Sequence, residues 1–537
     1  MSLRRLTALC CALAVLAAVI LARVYWVGSD TAYAASAGRQ TTQTTELPRA
    51  RGNFLDRTGR PLTGTETTRY ALCIPGDNSY SALLPCVPYQ AQTLLYERRN
   101  TTSPFLIEIG QTAAPAGTLL LDEPHRTLPS PIAVHLLGYL DQENHGVTGL
   151  ERAWDTVLAE SCDQTAAVCQ TTARGRLLGT AVPEIITEQQ GTGAQVKLTL
   201  DADIQRLCEG IAQLTMPRGC ILVMDTATGE ILASVSMPEY DPGDVARSIR
   251  ADDTSLVNRA FATFSVGSVF KVAAALAAYE NGMDWFTHDC TGSIEVDGQT
   301  YRCALGKAHG TVNLRGALEQ SCNTYFVALG QQLGGMALRA AASELGFGTA
   351  VPIAPDLTAG AGVVPTAKEL QSTGQLSVFS FGQGSFTATP LQITAMMNTI
   401  AAGGTYHTPR FCYGITDAGG TVTEKFQLPA PRTVCDAATA KVLRSMLQSV
   451  VEDGIGYAAK PTGGTAAGKT GTAQTGQFDA AGDELLNYWF SGFIPAGDPK
   501  YTITVLQDGV LEPETSSAAI FAQIAAGLQV IEQPAPD

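Results

Sequence analysis

At 537 residues and 45% hydrophobic content, the chain is long enough for two or three domains with well-buried cores, which excludes a disordered protein. Its 35 Lys and Arg against 50 Asp and Glu give a net charge of −15, so it lacks the basic footprint that a phosphate backbone needs and no nucleic-acid partner is expected. The acidity reads as a solvated surface.

In chain order, residues 1–5 form a short tail carrying Arg4 and Arg5, and residues 6–22 are almost unbroken apolar. The run continues past Arg23 through Val24, Tyr25, Trp26 and Val27. About 20 apolar residues, with basic residues on one flank and an aromatic pair on the other, are the pattern of a membrane-spanning helix. The expectation is an uncleaved single-pass anchor over 6–27 in the cytoplasmic membrane, with the tail inside and the bulk of the chain outside. A cleaved signal peptide is the rival, because Ala32-Tyr33-Ala34 has the small-x-small form of a cleavage site. Residues 28–48, rich in Ser, Thr, Gln and Ala, read as a linker.

Folding is expected from Arg49, with one domain over 49–195 and a second over 196–537. In the second, Lys197-Leu198-Thr199-Leu200-Asp201 leads into an amphipathic stretch at 204–212. Residues 220–225 and 231–236 are apolar runs joined by Thr226-Ala227-Thr228-Gly229-Glu230, a β-hairpin with Gly at the reversal. Residues 469–474, 489–494 and 501–507 supply further strands, and 516–530 is the last strong helix pattern. The fold class is α+β: an antiparallel sheet flanked by helices, with an inserted helical region.

Thirteen cysteines are many for an exported protein, and an odd count leaves at least one unpaired or intermolecular. Cys10 and Cys11 fall in the apolar run. Cys290 and Cys303 bracket a hairpin-like segment with Asp297-Gly298 at its turn, so a disulfide is expected there. A Cys162–Cys169 loop is a second candidate. There is no CxxC pair and the six histidines show no ligand spacing, so no metal or cofactor is expected.

Three short strings carry the chemistry: Ser268-Val269-Phe270-Lys271, Ser321-Cys322-Asn323 and Lys469-Thr470-Gly471-Thr472. Each alone is weak, but the ordered set is specific. Residues 268–280 are apolar on every side apart from Lys271, the pattern of a buried helix, and Asn281-Gly282 stops it. Ser268 and Lys271 at i and i+3 share a face at its start. Burial near a second cation, Lys469, would disfavour the ammonium form of Lys271 and leave an amine able to take the Ser268 proton. The Ser321 hydroxyl can link the two lysines, and Asn323 offers a donor and an acceptor. A helix cap is the bland alternative for Ser321-Cys322-Asn323, and Cys322 reads as a buried small side chain. The third string is expected on an edge strand, where side-chain-free Gly471 lets an extended peptide lie alongside and Lys469, Thr470 and Thr472 bind a carboxylate. The backbone N–H groups of Ser268 and Thr472 are the expected oxyanion hole, each donor contributing about 3 kcal/mol.

These motifs, in this order, resemble the SxxK, SxN and KTG motifs of penicillin-binding transpeptidases and serine β-lactamases. Asn258-Arg259-Ala260, Phe381-Gly382-Gln383-Gly384 and Thr389-Pro390-Leu391-Gln392 are similar to flanking stretches of the same family, which usually has Pro where this chain has Val266. The string from Arg51 to Leu62, RGNFLDRTGRPL, resembles the first box of class B penicillin-binding proteins, and Gly138-Tyr139 and Gly149-Leu150-Glu151-Arg152 resemble later boxes of their non-catalytic pedestal. The resemblance implies a penicillin-binding/β-lactamase-like domain over 196–537 behind a pedestal over 49–195. It implies a serine D,D-transpeptidase that cross-links peptidoglycan stem peptides ending in D-Ala-D-Ala, with Ser268 as nucleophile and β-lactams as acylating ligands. Lacking a glycosyltransferase signature, the chain would work with a membrane glycosyltransferase of the shape, elongation, division and sporulation family. Alternatives are a D,D-carboxypeptidase, a β-lactamase, or a catalytically weak scaffold or sensor.

Overall fold

The computed structural model describes residues 3–31, 42–73, 79–101, 103–110, 118–126, 130–141, 143–172, 183–251 and 253–532. The chain divides into two compact units, each assembled from three stretches of sequence. Ala32-Tyr33-Ala34 lies outside the described residues.

The first unit comprises Met1–Arg51, Gly64–Arg126 and Ala159–Gly193. Its N-terminal helix, Leu3–Ser29, buries no side chain and is long and apolar enough to cross a membrane. Two three-stranded antiparallel sheets follow. One has Gln164–Gln170 between Thr42–Glu46 and Glu184–Glu188. The other has Glu66–Cys73 between Phe105–Glu108 and Leu119–His125, with Ala71, Leu83, Leu95 and Ile107 in a small core. The expected linker over 28–48 therefore contains a paired strand. A polar Thr/Gln run carries no apolar alternation, and its pairing with Gln164–Gln170 lies more than a hundred residues away.

The second unit comprises Gly52–Thr63, Thr127–Leu158 and Ala194–Asp537. The stretch 49–195 is thus not one contiguous unit: the box at 52–63 and the later boxes at 138–152 fold with residues 194–537. The reason is a parallel pairing of Phe54–Leu55 with Gln195–Leu198, whose register sets Phe54 against Val196, both fully buried. Asp56 closes the loop behind it, accepting from the Thr58 and Arg60 backbone N–H groups at 2.8 and 2.9 Å.

The main sheet of this unit has five antiparallel strands, β1 (Gly219–Asp225), β2 (Ile231–Met237), β3 (Ala467–Phe478), β4 (Glu484–Ile494) and β5 (Tyr501–Val510), in the order β2-β1-β5-β4-β3. β1 and β2 are buried on both faces apart from Asp225, which is why they read as unbroken apolar runs rather than alternating ones. Against one face lie α1 (Ala202–Thr215) and the C-terminal helix Ser517–Ile531, whose Ile204, Cys208, Phe521 and Ile524 share a core with Ile221, Val223, Phe490 and Val505. Asp201 caps α1 by accepting from Asp203 and Ile204 N–H. Packed with Leu222 and Leu506 in a separate core are α2 (Lys271–Glu280), α3 (Asn323–Leu333) and α4 (Pro390–Ala401). α4 carries a capping box between Thr389 and Gln392, with Pro at its first turn. The third motif lies on β3, an edge strand that pairs with β4 alone among the described residues.

Candidate active site

The Ser268 turn is built by close approach. Gly267 has φ +65°, and a Cβ there would collide with the Thr472 carbonyl oxygen, so only glycine lets the first and third motifs meet. Its N–H donates to the Gly382 carbonyl at 2.8 Å. Two residues upstream, the Ser265 carbonyl accepts from Trp489 Nε1 at 3.0 Å and Asn487 Nδ2 at 3.3 Å. A 3₁₀ turn, Gly267–Phe270, then feeds α2, in which every residue from Lys271 to Ala278 is buried. Ser268 is half-buried at the start of that turn.

Lys271 is fully buried, and its Nζ finds its acceptors on the second motif: Ser321 O at 2.8 Å, Ser321 Oγ at 3.1 Å and Asn323 Oδ1 at 2.6 Å. Burial pushes the lysine down to about 7, because a charged ammonium loses its hydration there. A neutral amine can donate to the carbonyl and amide oxygens while its lone pair faces the hydroxyl. The Lys271 ammonium position also lies 5.5 Å from the centre of the Phe326 ring. Ser321 adopts φ +51°, a left-handed conformation that turns its hydroxyl and carbonyl toward the same amine. Asn323 is fixed from behind by its own Nδ2, which donates to the Arg302 carbonyl at 2.9 Å.

Lys469 is likewise fully buried, with Nζ 3.1 Å from Thr470 O and 3.4 Å from Thr470 Oγ1. Burial holds it well below the ordinary lysine range, and the nearby Lys271 charge pushes in the same direction. Thr470 is half-buried and Thr472 exposed. Gly471 serves a purpose other than the one its sequence suggests. A Cβ there would meet Val269 Cγ2 at 2.7 Å, with Trp489 Cβ and the Val266 carbonyl at 3.2 Å; the space belongs to the protein's own turn at 266–269.

Sequence reasoning missed Gly382, Asn487 and Trp489 as supports of the turn that carries Ser268. It also missed the fully buried Arg259, which donates through Nε to Asp508 at 2.9 Å and through its guanidinium to Thr254. The flanking Asn258-Arg259 string was the available signal, but its partner lies 249 residues away. The cysteine expectations are also corrected. Cys162, Cys169, Cys290 and Cys303 are all free thiols. Cys290 and Cys303 do meet, with Sγ atoms 3.7 Å apart and unbonded. The absence of a ligand set is revised too: Cys290, Cys303, His309 and Cys322 converge, all four ligand atoms within 4.8 Å of one another. Their spacings of 13, 6 and 13 residues span several elements and match no local motif.

Known proteins resemble this chain over most of its length. The family model of the penicillin binding protein transpeptidase domain matches residues 219–526. Penicillin-binding protein PbpB of Mycolicibacterium smegmatis is 31% identical over 425 residues, covering 74% of this chain and 63% of that protein, so the chain spans less than two thirds of that relative's length. Peptidoglycan D,D-transpeptidase PbpA of the same organism is 29% identical, covering 74% of this chain and 82% of its own. Among solved structures, penicillin binding protein 3 of Mycobacterium tuberculosis complexed with aztreonam aligns with TM-score 0.66 at 26% identity, over 91% of this chain and 97% of the other.

Proposed function

Because the chain belongs to the penicillin-binding protein transpeptidase family, we propose that it is a membrane-anchored serine D,D-transpeptidase of peptidoglycan stem peptides. The observation that carries this is the meeting of the three motifs around two buried lysines, with Lys271 bonded to both polar residues of the second.

In this reading Ser268 Oγ attacks the carbonyl carbon of the penultimate D-Ala, and its proton passes to the neutral Lys271 amine. Charge developing on the carbonyl oxygen is met by the backbone N–H groups of Ser268 and Thr472; the Thr472 main chain packs against Gly267, which supports that pairing. Ser321, in contact with Lys271, relays the proton to the leaving D-Ala amine. The stem peptide lies along β3 as an added strand, its terminal carboxylate bound by Lys469, Thr470 and Thr472. An amine from a neighbouring stem then attacks the acyl-enzyme. β-Lactams acylate the same serine, as the aztreonam complex of the M. tuberculosis relative suggests.

The apolar helix Leu3–Ser29 would hold the chain in the cytoplasmic membrane, with the catalytic unit outside because Arg4 and Arg5 remain in the cytoplasm. The partner expected for strand synthesis is a multi-spanning glycosyltransferase of the shape, elongation, division and sporulation family, which co-purification of the full chain from membranes should capture.

Labelling with penicillin followed by intact mass spectrometry tests the chemistry. The wild-type chain should carry one adduct and Ser268→Ala none; an adduct persisting on the variant overturns the nucleophile. Product analysis with an amine acceptor then separates cross-linking from hydrolysis: water as the sole acceptor would make the chain a carboxypeptidase.

A further inference from the structure

We propose that Cys290, Cys303, Cys322 and His309 form a structural zinc site that clamps the second motif into place. The four come from separate pieces of chain. Cys290 ends the strand Thr287–Cys290, and Cys303 follows the hairpin Ser293–Val296 and Gln299–Arg302. His309 precedes the strand Gly310–Asn313, and Cys322 is the N-cap residue of α3, between Ser321 and Asn323.

The distances favour a metal over a disulfide. Cys290 Sγ to Cys303 Sγ is 3.7 Å and Cys303 Sγ to Cys322 Sγ is 3.8 Å, whereas a disulfide brings sulfurs to about 2.0 Å. Metal–sulfur bonds of about 2.3 Å at tetrahedral angles put sulfurs about 3.8 Å apart, the spacing seen on both edges. His309 Nδ1 completes the set at 3.3 Å from Cys290 Sγ. Cys303 lies between the other two thiols, so any one disulfide would strand a buried thiol and break the convergence. The three cysteines are buried and His309 is half-buried. Three thiolates and an imidazole, with no carboxylate, select zinc among common cations. Four protein ligands leave no open position, so the ion would be structural and take no part in acyl transfer.

The surroundings suit a thiolate cluster. The Tyr325 backbone N–H donates to Cys322 Sγ at 3.4 Å, and Thr324 Oγ1 lies 3.3 Å from the same sulfur. The cluster is joined to the active site through adjacent residues: Cys303 follows Arg302, whose carbonyl holds Asn323, and Cys322 separates the two residues that hold Lys271. Binding would displace the thiol protons, so occupancy should fall in acid. Only the consequence for acylation rests on the transpeptidase reading; the metal site itself does not.

The test uses the full chain, purified in detergent without metal-affinity resin and without chelator. Elemental analysis should find about one zinc per chain. Exchange for Co(II) should give the thiolate-to-cobalt charge-transfer absorption of a tetrahedral sulfur-rich site. Cys290→Ser and His309→Ala should each lose most of the zinc, and chelation of the wild type should lower its thermal midpoint. Because a variant could fail to fold, the wild-type stoichiometry and the Co(II) spectrum decide by themselves. A metal-free wild type that cannot take up Co(II), whether its thiols are free or two hydrogens lighter as a disulfide, overturns the proposal. Penicillin adduct formation is scored on the same sample: adduct without metal sinks the zinc site alone, and metal without adduct sinks the transpeptidase reading alone.

Discussion

The first and second motifs sit opposite one another and are held by opposite means. The Ser268 turn leads into a helix buried on every side, so Ser268 and Lys271 are placed by apolar packing into the larger of the unit's two cores. The segment from Cys290 to Asn323 is made of short strands, turns and one short helix, Leu314–Glu319, with Asp297, Leu305 and Ser321 all at positive φ, and its grip on Lys271 comes from three polar contacts and the thiol cluster behind them. Packing spreads its support over many small contacts. A polar arrangement concentrates it in a few, so single substitutions should act differently on the two sides.

The largest effect is expected at the packed side. Gly267→Ala demands both φ +65° and room where the Thr472 carbonyl stands. It should destabilise the unit by more than about 3 kcal/mol, strain and overpacking together, and abolish the penicillin adduct, as read from urea unfolding and mass spectrometry together. A variant that unfolds normally and still acylates would show that the two motifs need not touch. Next, Arg259→Leu leaves Asp508 with Arg218 as its remaining partner, 3.0 Å away. A cost near the low end for breaking a buried pair, about 3 kcal/mol, is expected.

On the polar side, Asn323→Ala should leave the unfolding midpoint nearly unchanged while slowing acylation about a hundredfold, because it releases Lys271 from a 2.6 Å contact without disturbing the apolar core. Equal losses of stability and rate would erase the contrast between the two motifs. pH sharpens it further. Lys271 must be neutral to act as a base, so acylation should rise with pH through about 7. The same depression has a stability sign. Between about 7 and the ordinary value of 10.5, the unfolded chain binds a proton that the folded chain does not, so stability should increase with pH across that window. Below it both states are protonated and the slope vanishes. Lys271→Met should flatten the profile and raise the thermal midpoint at neutral pH while ending acylation. The smallest effect belongs to neither motif: Asp201→Ala removes the cap of α1 and should cost about 1 kcal/mol with acylation untouched.

What the sequence made legible follows the same division. Local patterns were readable: the hairpin with Asp297-Gly298 at its turn pairs Val296 with Gln299 as the two-residue loop requires, β1 and β2 reverse at Gly229, and the all-apolar run after Ser268 is the buried helix. Features that depend on distant partners were not. Phe54 reveals nothing about Val196, and Ser265 nothing about Trp489. The four zinc-ligand candidates are scattered over 33 positions, and only the folded hairpins bring them within 4.8 Å. Gly471 shows a subtler limit, since glycine signals that space is needed without saying which neighbour fills it.

The strand β3 slips register against β4 between Gln474 and Gln477, and Gly476 there has φ +69°. A bulge of this kind bends an edge away from its own line. The regular ladder on this edge therefore runs along Ala467–Gln474, and the strand changes direction where that stretch ends. A kink of this kind is one of the devices that blunt an open sheet edge against pairing with another strand.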